Sequence, residues 1–261
     1  MIALIDLDSI LYTAVYKIVS ISDMKEAIKK IGKEKAKQWL LETVYNEGIN
    51  RCENQLLKMQ NYIQEVFFQE ISSYELYITT DTNSFRKKLS PTYKSNRKKN
   101  KYVWLLREHY RHNGAYCSNT HEADDLIADR ALKLGKGNYI VVSIDKDLKQ
   151  IGGYYWSYYK VKSKDAHGNF IENEYGFHES EYKQKTIEFI SNNEADSFFW
   201  KQLLTGDAGD CIKGIKGIGP KTAEKILAKG TNNFIRVARS YIEKGQKNNF
   251  RTAYKLLKLG T

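Results

Sequence analysis

The sequence HEADDLIA at residues 121–128 places the carboxylates of Glu122, Asp124 and Asp125 side by side at the start of an apolar-periodic helix. Acidic residues in a first helical turn are stabilised by the helix dipole, but by only about 0.3 to 1 kcal/mol per charge at a surface. Three adjacent carboxylates also repel one another. By itself the stretch fits both a solvated helix N-terminus and a metal site.

On either side of this stretch, predicted strands also end in acidic residues. The apolar run at residues 2–5 leads into Asp6 and Asp8, the run at 74–80 into Asp81, and the β-prone run at 138–144 into Asp145 and Asp147. Residues 23–45 and 51–71 are predicted to be helices. Strands that alternate with helices predict an α/β fold with a right-handed, parallel sheet. Ligands bind such sheets at the carboxyl ends of the strands.

If these acids converge, the negative charge is more than a folded protein can bury without counter-charge. The acids that follow strands or open helices are Asp6, Asp8, Asp81, Glu122, Asp124, Asp125, Asp145, Asp147, Asp207 and Asp210. Divalent cations with oxygen ligands, Mg²⁺ above all, are the natural counter-charge. Two such ions roughly 4 Å apart would activate a water and stabilise the leaving oxygen of a phosphodiester. No histidine or cysteine cluster indicates zinc. The alternative for Asp6 or Asp8 is a cap on the helix that begins near Ile10.

The composition indicates a globular protein with a polyanionic partner. The 261 residues carry a formal net charge of +11, with 41% hydrophobic and 13% aromatic residues. This charge favours nucleic acid over a membrane, because the basic residues do not form an amphipathic helix. The chain has neither an 18-residue apolar run nor a signal-peptide pattern, so we expect a cytoplasmic protein.

Basic residues are concentrated between residues 82 and 107, where no acidic residue occurs. They are Arg86, Lys87, Lys88, Lys94, Arg97, Lys98, Lys99, Lys101 and Arg107, interleaved with Phe85, Tyr93, Tyr102 and Trp104. Such a run is usually a solvated face, but with interleaved aromatic rings it favours a segment that binds single-stranded nucleic acid. Residues 90–92 contain a proline, so we expect two short helical pieces around a bend.

The C-terminal third contains GDAGD at 206–210 and GIGPKT at 217–222. Gly217 and Gly219 would let backbone N–H groups approach a phosphate at a helix N-terminus, where Pro220 suits the first turn. The pattern predicts a helix-hairpin-helix element that grips a DNA backbone without reading sequence. A glycine-rich corner between two helices is the alternative.

In chain order, these motifs resemble those of the flap endonuclease and 5′-nuclease superfamily, which includes phage 5′ to 3′ exonucleases and the 5′-nuclease domain of bacterial DNA polymerase I. The matching blocks are Asp6, Asp81 with Phe85 and Arg86, YKSNR at 93–97, EADD at 122–125, SIDKD at 143–147, and GDAGD at 206–210 through Gly219. The resemblance implies a PIN-like, mostly parallel central sheet with helices on both faces. It also implies a basic helical arch and a C-terminal helix-three-turn-helix. The expected domains are 1–178, with the arch at about 82–112, and 179–261, with the hairpin at about 205–230.

The resemblance further implies the roles of individual residues. Asp6, Asp81 and Asp124 would hold one Mg²⁺; Glu122, Asp145, Asp147 and Asp207 would hold the second; Asp125 and Asp210 would be outer ligands. Mn²⁺ would substitute. Lys94 and Arg97 would act on the scissile phosphate together with the metal ligands Asp124 and Asp145, and Tyr93 would stack on the terminal base. Further DNA contacts are expected from Arg86, Lys98, Lys99, Gly217, Gly219, Lys221 and Thr222, with K⁺ at the hairpin.

The activity implied is structure-specific hydrolysis of DNA at or near free 5′ ends during replication or recombination, by a monomer. RNA/DNA hybrids and replication proteins are further expected partners. Flap endonuclease and exonuclease share this site, so both remain open. A non-catalytic DNA-binding scaffold and a PIN-type ribonuclease are the rivals; the latter has no need of the glycine hairpin. Two positions depart from the family pattern, which often has glycine where this chain has Leu7 and Lys146. The role of Asp8 stays open.

Overall fold

The computed structural model describes residues 1–80, 84–158, 160–162, 169, 180–182, 187–228 and 232–260. The strands are β1 (Ile2–Asp6), β2 (Ser73–Tyr77), β3 (Tyr139–Val142), β4 (Gly153–Trp156), β5 (Lys160–Lys162), β6 (Ser180–Tyr182), β7 (Ile187–Ile190), β8 (Gly206–Asp207) and β9 (Ile212–Lys213). The helices are α1 (Asp8–Ala14), α2 (Ile21–Ile31), α3 (Lys33–Val66), α4 (Phe85–Leu89), α5 (Lys101–His112), α6 (Ala123–Leu134), α7 (Asn192–Thr205), α8 (Pro220–Leu227), α9 (Asn233–Glu243) and α10 (Lys247–Leu257), with a 3₁₀ helix at Lys146–Ile151. Within these ranges, no helix has both the length and the apolar character needed to cross a membrane.

The central sheet has the strand order β2-β1-β3-β4-β7. β1 pairs in parallel with β2 and β3, and β3 pairs in parallel with β4. β7 joins the edge antiparallel to β4. β1 and β3 are almost entirely buried, which explains why their sequences are continuous apolar runs rather than alternating ones. The mostly parallel sheet predicted from the sequence is confirmed.

Helices cover both faces of this sheet. Side chains alternate across a strand, so Ala3 and Ile5 of β1 pack with residues of α1, α3 and α5. Leu4, between them, packs on the other side with Ile127 and Ala131 of α6. The carboxyl ends of β1 and β3 therefore meet at one edge of a two-sided core, as the sequence predicted.

The C-terminal helices form a further core, in which Leu203 of α7 packs with Val237 and Tyr241 of α9 and with Leu256 of α10. The chain then returns to the sheet, because Leu259 packs with the α6 cluster. The predicted domain division at residue 178 lies outside the described residues and stays a prediction. β7 lies beyond that point and nevertheless belongs to the central sheet.

Helix α3 runs without a break from Lys33 to Val66, so the prediction of two helices separated near residues 45–51 is wrong. Gly48 lies in this helix where α3 packs against α5. A Cβ at Gly48 would lie 3.0 Å from Leu106 Cδ1. The glycine therefore allows close helix packing rather than ending a helix.

A buried ion pair connects the arch, α6 and the C-terminus. Arg86 of α4 and Asp125 of α6 are 1% and 0% exposed, and the guanidinium donates two hydrogen bonds to the carboxylate, one of them at 2.7 Å. Arg86 also donates to the carbonyl oxygens of Leu256 (2.7 Å) and Lys258 (3.0 Å). These contacts correct two predictions: Asp125 is not open to a metal ion, and Arg86 is not open to DNA. Both serve the fold.

Asp125→Ala leaves the Arg86 guanidinium buried without its carboxylate. We expect it to lower the free energy of unfolding by about 3 to 5 kcal/mol. Arg111→Ala is the matched control, since it breaks the half-exposed pair with Glu108 (2.6 Å) and should cost less than about 1 kcal/mol. Urea unfolding followed by circular dichroism measures both costs. Equal costs for the two variants would contradict the structural role of the buried pair.

Candidate metal and nucleic-acid site

The carboxyl ends of β1 and β3 bring several carboxylates to one cavity of ≈ 350 Å³. Asp6 ends β1 and accepts hydrogen bonds from Ser143 Oγ (2.7 Å) and from the backbone N–H of Asp8 (3.2 Å). The acidic side chains that line the cavity are Asp6, Asp8, Glu122, Asp124 and Asp145. Asp81 lies outside the described residues, so its place in this site stays a prediction.

Three of these carboxylates are hydrogen-bonded to backbone or hydroxyl groups and form no ion pair within the described residues. Asp124 accepts a hydrogen bond from the N–H of Asp125 (2.9 Å) and Asp145 from the N–H of Asp147 (2.9 Å). In the part of the chain that the structure describes, no lysine or arginine forms an ion pair with Asp6, Asp124 or Asp145.

Burial and mutual repulsion disfavour the charges of these three groups. Burial, with the neighbouring charges of Asp8 and Asp145, raises the pKa of Asp6 to about 7. Burial also raises the pKa of Asp145, with a contribution from Asp147, and it raises the pKa of Asp124 well above its usual value. A hard divalent cation would relieve this repulsion, and oxygen donors are the ligands that Mg²⁺ and Mn²⁺ take. The donor set therefore fits such an ion.

The carboxylates of the site are nevertheless not yet arranged around a common point where an ion would bind. Among the described residues, no three Asp, Glu, His or Cys side chains already form a group that could hold a metal. The remaining acids are instead engaged by lysine, arginine and glutamine side chains, which fall into two sets. One set involves the arch and the other involves Lys146.

The arch, α4 to α5 with the turn at 91–96 between them, reaches the acids through Lys94 and Arg97. Lys94 Nζ lies 2.5 Å from Glu122 Oε2 and 3.7 Å from Asp210 Oδ2, and Arg97 pairs with Asp210. Burial alone would raise the pKa of Glu122, but the charge and hydrogen bond of Lys94 hold that pKa below its usual value. The arch therefore neutralises two carboxylates, that of Glu122 in the cavity and that of Asp210 in the loop after α7.

The backbone of Lys94 is strained. Its φ of 51° lies in the left-handed region, which costs a residue with a side chain about 1 to 3 kcal/mol. Its N–H donates to the carbonyl oxygen of Asp210 (3.1 Å). The turn of the arch is thus fastened to the loop after α7 by both backbone and side-chain contacts.

Tyr93 does not lie where a base could stack on it. Its ring is 4% exposed and packs in the core of the C-terminal helices. Its hydroxyl donates to Glu122 Oε2 (2.9 Å) and lies 3.3 Å from Asp210 Oδ2. The prediction of a stacking surface at Tyr93 is therefore corrected: in the structure Tyr93 positions Glu122.

Lys146 forms the second set of contacts. Its Nζ lies 2.8 Å from both Asp147 Oδ1 and Asp207 Oδ2. Gln202 Nε2 donates to the same two oxygens, at 2.9 and 3.1 Å. Burial raises the pKa of Asp207, but the hydrogen bond and charge of Lys146 outweigh it and bring the pKa below its usual value. The sequence indicated a cation at Lys146, but it gave no signal for Gln202.

Asp8, whose role the sequence left open, is held by Arg107. Arg107 Nε lies 2.9 Å from Asp8 Oδ1, and the backbone N–H of Thr79 donates to Asp8 Oδ2 (3.2 Å). Helix α1 begins at Asp8 without a side-chain cap. Asp8 thus ties α5 of the arch to the chain after β2 and does not cap the helix. Of the two residues in the capping alternative, it is Asp6 whose carboxylate accepts a hydrogen bond from the first N–H of α1, that of Asp8 (3.2 Å). The signal for Arg107 was its place in the one-sided basic run.

A basic groove continues from the acidic cavity. A second cavity of ≈ 370 Å³ shares Asp8, Lys94, Arg97, Arg107 and Glu122 with the first and extends along Lys87, Lys98 and Lys99. Lys98 and Lys99 are exposed. The carboxylates therefore lie next to a surface that attracts phosphate groups.

The hairpin region depends on glycine at a tight crossing. Gly206 is the first residue of β8, and Gly214 directly follows the end of β9. A Cβ at Gly206 would lie 2.3 Å from the backbone nitrogen of Gly214. Gly217, with φ of 85°, precedes the N-terminus of α8, and Gly219 is its N-cap. Gly217, Gly219, Lys221 and Thr222 are all exposed. The N-terminus of α8 is thus open to solvent, as a site for a phosphate requires.

One relative is a flap endonuclease Xni from Shewanella pealeana, which is 31% identical over 200 residues, or 69% of this chain and 71% of that protein. The chain belongs to the flap endonuclease family. Another flap endonuclease Xni, from Shewanella baltica, is 31% identical over 159 residues. DNA polymerase I of Borreliella burgdorferi is 38% identical over 111 residues. The chain spans about half the length of the Shewanella baltica relative (53%) and a small part of the polymerase (11%). No family model matches the chain.

Solved structures support the same fold for this member of the flap endonuclease family. A bacteriophage T5 flap endonuclease in complex with DNA and metal ions aligns with a TM-score of 0.58 at 12% identity, over 98% of this chain and 88% of that one. The T5 protein co-crystallised with metal ions aligns with a TM-score of 0.54 at 13% identity, over 98% and 87%. At these identities the likeness establishes the fold.

Asp210→Asn tests whether the acids fasten the arch in this family member. Loss of the charge that pairs with Arg97 and Lys94 should speed hydrogen exchange of the amides at 90–97 several-fold, because the turn opens more often. Hydrogen–deuterium exchange with mass spectrometry measures this. Asp147→Asn is the control, since Asp147 pairs with Lys146 and not with the arch. Unchanged exchange in Asp210→Asn would contradict the fastening.

Proposed function

We propose that the chain is a divalent-metal-dependent 5′ nuclease that hydrolyses phosphodiester bonds at or near free 5′ ends of DNA in replication or recombination. The observation that carries this function is the trio Asp6, Asp124 and Asp145, whose carboxylates form no ion pair with any described lysine or arginine and lie directly beside the basic groove. A scaffold that only binds DNA would have no use for such unpaired negative charge next to a phosphate-binding surface. Membership of the flap endonuclease family gives further support.

Asp6, Asp124 and Asp145 are proposed to hold the first ion, together with Asp81. The family resemblance assigned Asp145 to the second ion; we place it at the first because it lines the same cavity as Asp6 and Asp124. Mg²⁺ is the proposed ion, with Mn²⁺ as a substitute. Asp147 and Asp207, with Glu122 and Asp210, are proposed for the second ion. Bound divalent ions would activate water and offset the charge of the scissile phosphate. No described lysine or arginine has to move before an ion binds at Asp6, Asp124 and Asp145. At Glu122, Asp147, Asp207 and Asp210, the paired lysine or arginine would have to move first.

Lys94 and Arg97 are proposed to contact the scissile phosphate. Both now pair with carboxylates of the site. A DNA phosphate that enters the groove offers them a new anionic partner, while a divalent ion offers the carboxylates a new cation. Metal binding and DNA binding would therefore favour each other. A metal ion on the carboxylates would free Lys94 and Arg97 for the DNA phosphate, and a phosphate on Lys94 and Arg97 would free the carboxylates for the metal ion. Lys98 and Lys99 extend the phosphate contacts along the strand with the free 5′ end.

The hairpin is proposed to hold the duplex that follows the cleavage point. Gly217 and Gly219 leave the N-terminus of α8 unobstructed, and Lys221 and Thr222 flank it. Contacts of this kind are to the backbone and do not read base sequence. K⁺ is proposed to assist at this hairpin. Substrates would be flaps, nicks and duplex ends, with RNA primers in hybrids as a further class, and the chain would act as a monomer in bacterial or phage-infected cytoplasm.

The test is cleavage of a 5′-labelled flap DNA with Mg²⁺ and with EDTA. The wild-type chain should cleave with Mg²⁺ and lose cleavage in EDTA. Asp124→Asn should lower turnover by about 10²-fold or more while DNA binding in Ca²⁺ stays near wild type, because the charge that acts on the reacting phosphate is lost. Asp129→Asn, on the same helix but outside the site, is the matched control and should cleave normally.

The outcomes separate the rivals. Undiminished cleavage in EDTA would contradict the metal dependence. A complete lack of hydrolysis of flap, nicked, blunt and hybrid substrates, with binding retained, would favour the scaffold. Cleavage of single-stranded RNA in preference to all DNA substrates would favour a PIN-type ribonuclease.

A further inference from the structure

Two carboxylate oxygens at the edge of the candidate site are enclosed by nitrogen donors. Asp147 Oδ1 and Asp207 Oδ2 each lie 2.8 Å from Lys146 Nζ. The same two oxygens accept hydrogen bonds from Gln202 Nε2, at 2.9 and 3.1 Å. One ammonium group therefore lies between the two carboxylates.

The orientation of the Gln202 side chain is set by the negative charges of Asp147 and Asp207. Its side chain is 7% exposed and its amide nitrogen points at both carboxylates. Its Oε1 is buried, and no hydrogen-bond donor reaches it among the described residues. Leaving an acceptor unsatisfied is unfavourable, so the two acids dictate the orientation of the amide. Rotation of the amide by half a turn would aim Oε1 at the same position as a neutral oxygen ligand.

An ammonium group and a divalent ion cannot occupy this position together. Mg²⁺ and Ca²⁺ hold oxygen ligands at about 2.0 to 2.6 Å, closer than the ammonium holds them here, and the two cations repel each other. We propose that Lys146 is a built-in counter-cation for Asp147 and Asp207, and that it must leave before a second divalent ion can bind there. This inference rests on the proposed metal-dependent function.

The lysine is able to leave. Its side chain is 63% exposed, while those of Asp147 and Asp207 are 19% and 13% exposed. A long flexible lysine at such a surface is held weakly by its partners. Without DNA, the first ion therefore binds at Asp6, Asp124 and Asp145, and the second binds with much lower affinity. The ammonium group of Lys146 therefore determines how much more weakly the second ion binds than the first.

The experiment counts bound Mn²⁺ ions without DNA, by isothermal titration calorimetry and by the electron paramagnetic resonance signal of free Mn²⁺. Lys146→Met removes the ammonium and keeps the length of the side chain. We expect the second site to tighten by at least about tenfold, which is a change of about 1.4 kcal/mol. Lys149→Met is the matched control, because Lys149 lies on the same 3₁₀ helix but pairs with Glu188. It should bind Mn²⁺ as the wild type does.

A second variant locates the gained ion. Lys146→Met combined with Asp207→Asn should lose the tightened site and keep the first one. No gain in Lys146→Met, or a gain that survives Asp207→Asn, would overturn the inference, provided that circular dichroism shows each variant to be folded. Ion counting does not depend on DNA cleavage. A chain that cleaves flap DNA but shows no gain in Lys146→Met would contradict the role of Lys146 alone, and a chain that shows the gain but cleaves nothing would contradict the nuclease function alone.

Discussion

Repulsion between carboxylates at the carboxyl ends of β1 and β3 is the constraint on which the rest of the site depends. The parallel sheet brings Asp6 and Asp145 to one edge, and helix α6 adds Asp124 from its first turn. Burial makes their charges unfavourable, as the raised pKa values of all three show. The arch and the 3₁₀ helix that surround the site supply counter-charge to the neighbouring acids through Lys94, Arg97 and Lys146.

Apart from Asp8, which pairs with Arg107, the acids fall into three groups by counter-charge. Asp125 is permanently neutralised by buried Arg86 and belongs to the fold. Glu122, Asp147, Asp207 and Asp210 pair with Lys94, Arg97 and Lys146, whose side chains are 18%, 53% and 63% exposed and can exchange these carboxylates for other anions. Asp6, Asp124 and Asp145 form no ion pair among the described residues. This gradient from fixed to exchangeable to absent cations suggests an order of events, in which ions enter first where no cation must leave and DNA phosphates draw the arch cations away.

The fold and the acid residues could be predicted from the sequence because they follow from local patterns. Apolar runs that end in aspartate mark buried parallel strands, and parallel strands bring their ends together whatever lies between them. The pairing of charges could not be predicted in this way. Arg86 stands in a run of exposed basic residues, and only the return of the chain at Leu256 and Lys258 makes it a buried partner of Asp125. Tyr93 was misplaced for the same reason, since its burial depends on helices more than 100 residues away in the chain.

We expect a divalent ion to bind first at the acids that form no ion pair with a described lysine or arginine. Anomalous scattering from crystals grown with Mn²⁺ at a concentration just above that needed to fill one site tests it directly. We expect a peak in contact with the carboxylates of Asp6, Asp124 and Asp145, while Lys146 still bridges Asp147 and Asp207. A first peak between Asp147 and Asp207, with none beside Asp6 and Asp124, would contradict it.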